Sequence, residues 1–317
     1  VGDDRVIPYR RIRDEAVIAN ERLYASTAGA ETLAGSLSLR FFLSDDYYGG
    51  LLPLRYKGRE VYLPQLALGR LVETPQEISA TIQAALANDL LIKPESHLVT
   101  GYDFLIDAAQ GISSTLTGYG VGPAPTTGSL IGDTWDKDDF GKTLDSLAPD
   151  APGLVSLNSH FTHYFFYPNG PNTPSNYVFA LSDIVSGPVS FAGRLIFSVG
   201  CHSGLNVPDG TPYAPGTLGA MDWAQAFAQD GAAGFIGNTG FGYGDSDVIA
   251  YSEAVMNNFA EELGYQPNGV ARPVGVALTR AKLRYFNTAA ADSFSNYDEK
   301  ALGIMTLYGL PMLRVDV

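Results

Sequence analysis

Short apolar runs alternate with amphipathic stretches along most of the chain, a pattern that is typical of a parallel β-sheet covered by helices. Each apolar run ends in a polar or glycine-containing turn. The pattern predicts strands at residues 40–43, 65–68, 97–100, 153–158, 195–199, 234–237 and 306–315. It predicts helices at residues 103–116, 222–229, 248–263 and 274–286. We therefore expect an α/β fold with a mostly parallel sheet flanked by helices.

A stretch rich in glycine, proline and threonine interrupts this pattern at residues 117–136. Such a composition favours a long loop or a boundary between subdomains. We predict two packed subdomains, an N-terminal α/β subdomain over residues 1–116 and a catalytic α/β subdomain over residues 117–317.

Composition and charge narrow the classes of function. The 317 residues are 45% apolar, enough for a globular protein with a sizeable core. A net charge of −14 would repel phosphates and argues against nucleic-acid binding, whereas it permits calcium binding through oxygen ligands. No apolar run approaches the roughly 18–20 residues that span a bilayer, so we expect no membrane span.

The cysteine content, the first residue and the composition of the chain lead to further expectations. A single cysteine excludes an internal disulfide. The chain begins at Val1 without Met or a signal-like region, which is typical of an excised domain or a processed product with flanking domains. The low charged fraction of 17%, with 35 glycines and 18 tyrosines, suits a secreted or cell-surface protein.

Two of the predicted strands end beside residues that carry chemistry. His160 follows the strand at residues 153–158, and Cys201 follows the strand at residues 195–199. Ligands bind at the carboxyl ends of parallel strands, and neighbouring strands lie about 4.8 Å apart, so these side chains can converge. A histidine beside a thiol stabilises the thiolate or takes its proton. Gly200 and Gly204 would let a substrate carbonyl approach backbone N–H donors.

Structural alternatives stay open for these residues. A lone cysteine after a strand is often an inert core residue, although the polar segment at residues 200–204 would make a poor core strand. His163 and His202 compete with His160 as the base, and we expect both to be structural or solvent-facing. A zinc site built from the three histidines is disfavoured, because their spacing is not that of a helical pair and no set of cysteines supports it.

Several motifs in one order resemble the gingipain family of cysteine peptidases, which belongs with the caspases to clan CD. Val-Gly-Asp-Asp at residues 1–4 and Ile-Pro at 7–8 are similar to that family's opening. Residues 44–49 and 68–70 are similar to its Asp-x-x-Tyr-Gly and Ile-Gly-Arg pattern. The stretches at residues 223–227 and 307–311 match its Phe-Ala-Glu-Ala-Leu and Phe-Gly-Asp-Pro segments. The resemblance covers the whole chain and implies a caspase-like three-layer fold.

The same resemblance implies roles for the residues of the site. Cys201 becomes the nucleophile, His160 the acid/base, and Asp103 the carboxylate that orients His160, with a helix N-cap as the alternative for Asp103. The backbone N–H groups of Cys201 and Phe161 would form the oxyanion hole. The family has glycine directly after the histidine, where this chain has Phe161.

Further binding residues are also implied by the resemblance. Asp107 is implied as an acid in the primary specificity pocket. Tyr243 matches an aromatic lid on that pocket, with ordinary loop packing as the alternative, and the substrate-binding candidates on its loop are Asn238, Thr239, Phe241 and Tyr243. Structural calcium is implied as well, with solvated loop acids as the alternative. The candidate ligands are Asp45, Asp46, Asp245 and Asp247.

The leading hypothesis is a cysteine endopeptidase that hydrolyses a protein or peptide substrate through a thioester on Cys201, with His160 as the acid/base. It requires no cofactor for catalysis. The alternative is a catalytically weak or inactive module that keeps the peptidase fold and binds surfaces, and Phe161 motivates it. A metal-dependent hydrolase is a third hypothesis.

Overall fold

The structure is a computed structural model that describes residues 1–25, 32–87, 89–168, 178–210 and 221–317. Its strands are β1 (Arg10–Arg13), β2 (Phe41–Ser44), β3 (Leu54–Tyr56), β4 (Arg59–Val61), β5 (Leu91–Ile92), β6 (Ser96–Val99), β7 (Gly122–Pro123), β8 (Leu154–Ser156), β9 (His160–Phe161), β10 (Phe165–Tyr167), β11 (Phe179–Ala180), β12 (Leu195–Phe197), β13 (Gly234–Asn238), β14 (Met305–Gly309) and β15 (Arg314–Val315). Its α-helices are α1 (Leu33–Ser38), α2 (Asp46–Gly49), α3 (Pro75–Ala87), α4 (Ile106–Gly118), α5 (Lys137–Leu147), α6 (Leu181–Val185), α7 (Trp223–Gln229), α8 (Tyr251–Leu263), α9 (Val274–Asp292) and α10 (Asn296–Gly303).

A six-stranded sheet with the order β14-β13-β12-β8-β6-β7 forms the centre of the molecule. The strands from β7 to β13 in this order run parallel, and only the edge strand β14 pairs antiparallel within this sheet, with β13. The predicted mostly parallel sheet is therefore confirmed. Hydrogen bonds cross the proposed boundary after residue 116, because β6 pairs with both β7 and β8. The division into two subdomains stays a prediction.

Alternate side chains of the central strands enter two separate apolar cores, which is the side-chain period of a strand buried on both faces. On one face they pack against α4, α8 and α9, and these residues are Val99, Leu154, Leu195, Phe197 and Ile236. On the other face they pack against α5, α6 and α7, and these are Leu98, Val155, Ile196 and Phe235. Helices thus cover both faces of the sheet, and the fold has three layers.

The pattern was wrong where strands are short or irregular. Residues 65–68 form no strand, and the Gln65 side chain instead donates to the Leu63 carbonyl at 2.8 Å. The predicted closing strand divides into β14 and β15, and β15 pairs with β5 outside the central sheet. The sequence pattern missed β1, whose three arginines hide the apolar period, and it missed β9 and β10.

Along the described part of the chain, no helix combines the length and the hydropathy that a membrane span requires.

Candidate active site

His160 and Cys201 lie beyond the carboxyl ends of two neighbouring parallel strands. In the ladder between β8 and β12, Ser156 stands opposite Phe197. His160 follows Ser156 by four residues, and Cys201 follows Phe197 by four residues. Because the strands are parallel and adjacent, both residues emerge at the same end of the sheet, where ligands bind in folds of this type.

A contact between their chain neighbours joins the two segments. A Cβ atom added to Gly200 would lie 2.2 Å from Cδ2 and 2.9 Å from Cβ of Phe161, so the ring of Phe161 packs directly on the Gly200 backbone. The ring is buried and stacks on Phe166 with 5.0 Å between centroids. The residue after His160 therefore contacts the residue before Cys201.

The imidazole of His160 is held by a carboxylate. Nε2 of His160 lies 3.1 Å from Oδ2 of Asp103, which begins a short 3₁₀ helix after β6. The side chain of His160 is 24% exposed, and the rings of Tyr102 and Phe104 lie 6.1 and 5.8 Å from the imidazole. The carboxylate of Asp103 therefore contacts His160, and among the described residues it accepts no hydrogen bond from a helix N–H group. Its role in orienting His160 stays a prediction.

The thiol of Cys201 is held in its protonated form. Its Sγ donates to the carbonyl oxygen of Gly242 at 3.6 Å. Burial raises the pKa of the Cys201 thiol to about 11. At neutral pH the sulfur is therefore a thiol, and a base must take its proton before or during any attack on a carbonyl carbon.

The two backbone N–H groups expected in the oxyanion hole are those of Phe161 and Cys201, and that role stays a prediction. Thr162 donates to the Phe165 carbonyl at 2.8 Å across the β9–β10 ladder. Hydrogen-bonded and non-hydrogen-bonded pairs alternate in an antiparallel ladder, so the N–H of Phe161 points away from β10. Among the described residues, the N–H of Cys201 donates to no acceptor outside its own residue.

Asn238 and Thr239 face the interior of the protein rather than a cleft. Both are buried, and Asn238 Nδ2 donates to the Val199 carbonyl at 2.7 Å, while Thr239 Oγ1 donates to the Leu43 carbonyl at 2.6 Å. Asn238 thus braces the segment after β12 beside Cys201, whereas Thr239 binds to β2. Their predicted contact with a substrate stays a prediction.

Phe241 and Tyr243 are half-buried on either side of Gly242. The ring of Phe241 lies 4.5 Å from the ring of His202. The hydroxyl of Tyr243 donates to the Ala19 carbonyl at 2.9 Å, and its ring packs on Tyr297 at 5.0 Å. The two aromatic residues therefore flank the carbonyl that receives the thiol, and Tyr243 is tied to the segment before Glu21.

Asp107 lies near a buried carboxyl that the sequence did not reveal. Glu253 at the start of α8 is fully buried, and its Oε2 accepts from the Asp245 N–H at 3.1 Å. Its Oε1 has no hydrogen-bond partner among the described residues. Burial, with the nearby charges of Asp107 and Asp245, raises the pKa of Glu253 to about 8. No motif distinguishes this glutamate from the other acids of a surface helix.

The four candidate calcium ligands are distributed over separate contacts. Arg70 Nε donates to Asp45 at 2.8 Å, and Lys282 Nζ donates to Asp46 at 2.7 Å. Asp245 and Asp247 are exposed, and Asp245 Oδ1 accepts the N–H of Asp247 at 2.9 Å. Within the described ranges, no three or more His, Cys, Asp or Glu side chains are grouped to hold a metal ion. Structural calcium stays a prediction.

His163 and His202 are both buried, so neither is solvent-facing. Nδ1 of His163 lies 2.8 Å from the hydroxyl of Tyr24, and burial lowers the pKa of His163 to about 3. Nε2 of His202 lies 2.8 Å from Oε2 of Glu21. Both histidines are therefore engaged in the interior.

Comparisons with known proteins bear on the fold. No family model matches the sequence, and no curated protein is detectably similar to it. The chain does superpose on the complex of Porphyromonas gingivalis RgpB pro- and mature domains, with a TM-score of 0.57 and 16% identity over 87% of this chain and 61% of that chain. The chain has the caspase-like fold of gingipain.

A second solved structure, described as a protease, agrees with the gingipain fold. It superposes with a TM-score of 0.54 and 10% identity over 86% of this chain and 59% of that chain. The chain thus spans about three fifths of the length of each of these structures. The resemblance inferred from the motifs is confirmed at the level of a peptidase fold.

Proposed function

We propose that the protein is a cysteine endopeptidase in which Cys201 attacks the scissile peptide bond and His160 serves as acid and base. The observation that supports this most directly is the packing of Phe161 on Gly200. It joins the neighbours of the two reacting side chains at the ligand-binding end of the sheet. The similarity of the fold to that of RgpB also supports the proposal.

The contact between Asp103 and His160 favours one tautomer of the imidazole. A carboxylate that accepts from Nε2 holds the proton there and leaves the lone pair on Nδ1. Nδ1 is then the atom that accepts the proton of the Cys201 thiol. Because burial keeps this thiol protonated at rest, the proton moves as the sulfur attacks rather than in advance.

The proposed reaction has two halves. In the first, Sγ bonds to the carbonyl carbon while the thiol proton passes to His160, and the N–H groups of Cys201 and Phe161 hold the oxyanion. The tetrahedral species then breaks its C–N bond, and His160 protonates the leaving amine, which leaves a thioester. In the second half, water attacks the thioester with His160 as base, and the thiol and a carboxylic acid are released.

A second candidate function is a surface-binding module that keeps the fold without turnover. The thiol donates to the Gly242 carbonyl in this structure, and among the described residues it makes no hydrogen bond to His160. The side chain of Phe161 also fills space where the resembled family has only a hydrogen atom. Such a module would bind a protein or peptide and release it unchanged.

The proposal has a wider setting that composition alone supports. The low charged fraction, with 35 glycines and 18 tyrosines, suits a secreted or cell-surface protein. The proposed chemistry at Cys201 requires no cofactor. Calcium bound at the loop acids would then have a structural role.

The test is hydrolysis of a broad peptide library and of an unfolded protein, with new termini mapped by mass spectrometry. We expect the wild type to generate new termini, and Cys201→Ala and His160→Ala to generate none. Binding without cleavage by the wild type and by Cys201→Ala would favour the binding module. Hydrolysis that survives both substitutions but is lost with chelator would favour a metal-dependent hydrolase.

A further inference from the structure

A buried cluster of charged side chains lies directly behind Cys201. Its carboxylates are Asp14 and Glu21, and its cation is Lys300, whose Nζ lies 2.8 Å from Asp14 Oδ2 and 2.6 Å from Glu21 Oε1. All three residues are at most 2% exposed. Burying charges is unfavourable unless each is paired, and three charges gathered beside the nucleophile call for a role beyond packing.

Glu21 connects two segments that lie on either side of the nucleophile. Its Oε2 lies 2.8 Å from Nε2 of His202, the residue after Cys201. Its Oε1 accepts the backbone N–H of Phe241 at 2.9 Å, and Phe241 precedes the carbonyl that receives the thiol. One carboxylate therefore bridges the turn that carries the sulfur and the loop that faces it.

The backbone of His202 has a conformation that requires support from its surroundings. Its φ is +55°, in the left-handed region that residues other than glycine rarely adopt without being held by their surroundings. The imidazole stacks on Tyr24 with 3.4 Å between centroids and 6° between planes. The His202 N–H donates to the Gly240 carbonyl at 2.8 Å. The direction of the adjacent Cys201 side chain thus depends on the contacts that keep His202 in this conformation.

The facing loop leaves room for the carboxylate. A Cβ atom on Gly240 would lie 2.4 Å from Oε1 of Glu21, closer than real Cβ contacts come. The absence of a side chain at this position therefore lets Glu21 reach both His202 and the Phe241 N–H.

The surroundings of Glu21 favour its ionised form. Burial opposes the charge of Glu21, but Lys300 and His202 outweigh it and lower the pKa of Glu21 to about 2. Nδ1 of His202 is buried without a hydrogen-bond partner among the described residues, and burial lowers the pKa of His202. Nε2 of His202 lies at hydrogen-bond distance from the Glu21 carboxylate, and a hydrogen bond to a carboxylate is charge-assisted.

We infer that Glu21 is a positioning residue for Cys201. The Glu21 carboxylate holds His202 and the Phe241 amide together and so fixes the direction of the thiol toward the substrate. This inference rests on the proposed peptidase function. It predicts that loss of the carboxylate slows the chemical step and leaves substrate binding nearly unchanged.

The test compares Glu21→Gln with a matched control, Glu299→Gln. Glu299 is also buried and held by a cation, with Arg59 Nε 3.0 Å from its Oε1, but among the described residues its carboxylate makes no hydrogen bond to the turn of Cys201. We expect Glu21→Gln to lower kcat at least tenfold with KM within twofold, and Glu299→Gln to leave both within twofold. A folded Glu21→Gln variant whose kcat stays within twofold of the control would overturn the inference.

Loss of the Glu21 charge and loss of positioning should change kcat in opposite directions. The charge of Glu21 raises the pKa of the Cys201 thiol, so its removal by itself would make the thiol more reactive. A fall in kcat therefore reports lost positioning. Should Glu21→Gln fail to fold, Glu21→Asp is measured in the same way, because the shorter side chain keeps the charge but cannot reach both partners. The same loss of kcat is expected, and wild-type kcat would overturn the inference.

A wild type that hydrolyses no peptide would defeat the proposed function but not yet this inference. Hydrogen–deuterium exchange then decides it. If Glu21 holds the two segments, peptides that cover residues 200–204 and 240–243 exchange at least tenfold faster in Glu21→Gln than in Glu299→Gln. Equal exchange in the two variants would refute the bridging role.

Discussion

The ring of Phe161 occupies the space in which any side chain on Gly200 would have to lie. The resembled family has a glycine after the histidine, and here the larger residue stands at that position and packs against a glycine on the other segment. The two residues are complementary in size. This contact aligns the segment of His160 with that of Cys201, and it leaves no room for a side chain at Gly200.

Substituting Gly200 with alanine should separate the two segments. The new Cβ would lie 2.2 Å from Cδ2 of Phe161, so one of the two backbones must move. We expect peptide hydrolysis to fall about 100-fold, and stability to fall by about 1–3 kcal/mol as in other overpacked sites. Both are measured on the purified variant, by initial rates and by urea unfolding.

Gly141→Ala is the matched control, because a Cβ there meets nothing within 4 Å and the position lies inside α5. Alanine should stabilise that helix by up to about 1 kcal/mol and leave hydrolysis unchanged. Wild-type hydrolysis by Gly200→Ala would show that the alignment does not matter.

Asp103→Asn should impair catalysis without affecting the fold. The amide cannot hold the Nε2–H tautomer of His160 as the carboxylate does, so we expect kcat to fall about 10–100-fold. Asp103 is exposed, and the free energy of unfolding should change by no more than about 0.5 kcal/mol. Asp145→Asn, at an exposed position of α5, serves as the control. Equal kcat values for the two variants would remove Asp103 from the site.

Alkylation of Cys201 should rise steeply with pH. Burial disfavours the thiolate and raises the pKa of the thiol to about 11, so each pH unit below that value should change the rate of reaction with iodoacetamide about tenfold. Free glutathione, measured in parallel, should level off above its ordinary thiol pKa of about 8.5. A plateau for the protein near pH 7 would reveal a thiolate that exists before substrate binds.

Glu253 should make stability depend on pH. Burial raises the pKa of Glu253 from 4.5 to about 8, so the folded protein keeps a proton that the unfolded chain releases between these values. Stability from this group is therefore present below pH 4.5 and is lost as the pH rises to 8. Relative to the wild type, Glu253→Gln should gain on the order of 2 kcal/mol between pH 5 and pH 8.5 in urea unfolding.

Glu261→Gln is the control for that measurement, because Glu261 lies on the same helix with its side chain 46% exposed. Its stability relative to the wild type should be the same at both pH values. A Glu253→Gln variant that behaves in the same way would show that Glu253 is ionised in the folded protein.

The sequence predicted the fold well where the burial of side chains follows a regular local pattern. The apolar runs of β8 and β12 required burial on both faces, and a parallel pairing of such strands brings His160 and Cys201 to one edge. This is why the sheet, and where these two residues emerge from it, could be predicted. The small sheet of β9 to β11 could not, because its strands are two or three residues long and too short for a period to show.

Contacts between distant segments left no trace in the pattern. Glu21 and His202 are separated by 181 positions, and no pattern in the sequence pairs them. Glu253 reads as an ordinary polar residue of α8, although the fold buries it completely. The surroundings of Glu21 and Glu253 arise only when segments that are distant in the sequence pack together.

The central claim is most directly tested by labelling the only cysteine of the chain with a peptidyl chloromethylketone and following residual hydrolysis. The account predicts one adduct per chain on Cys201, loss of hydrolysis in proportion to labelling, and labelling at least tenfold slower in His160→Ala. Undiminished hydrolysis by fully labelled protein, or wild-type hydrolysis by Cys201→Ala, would contradict it.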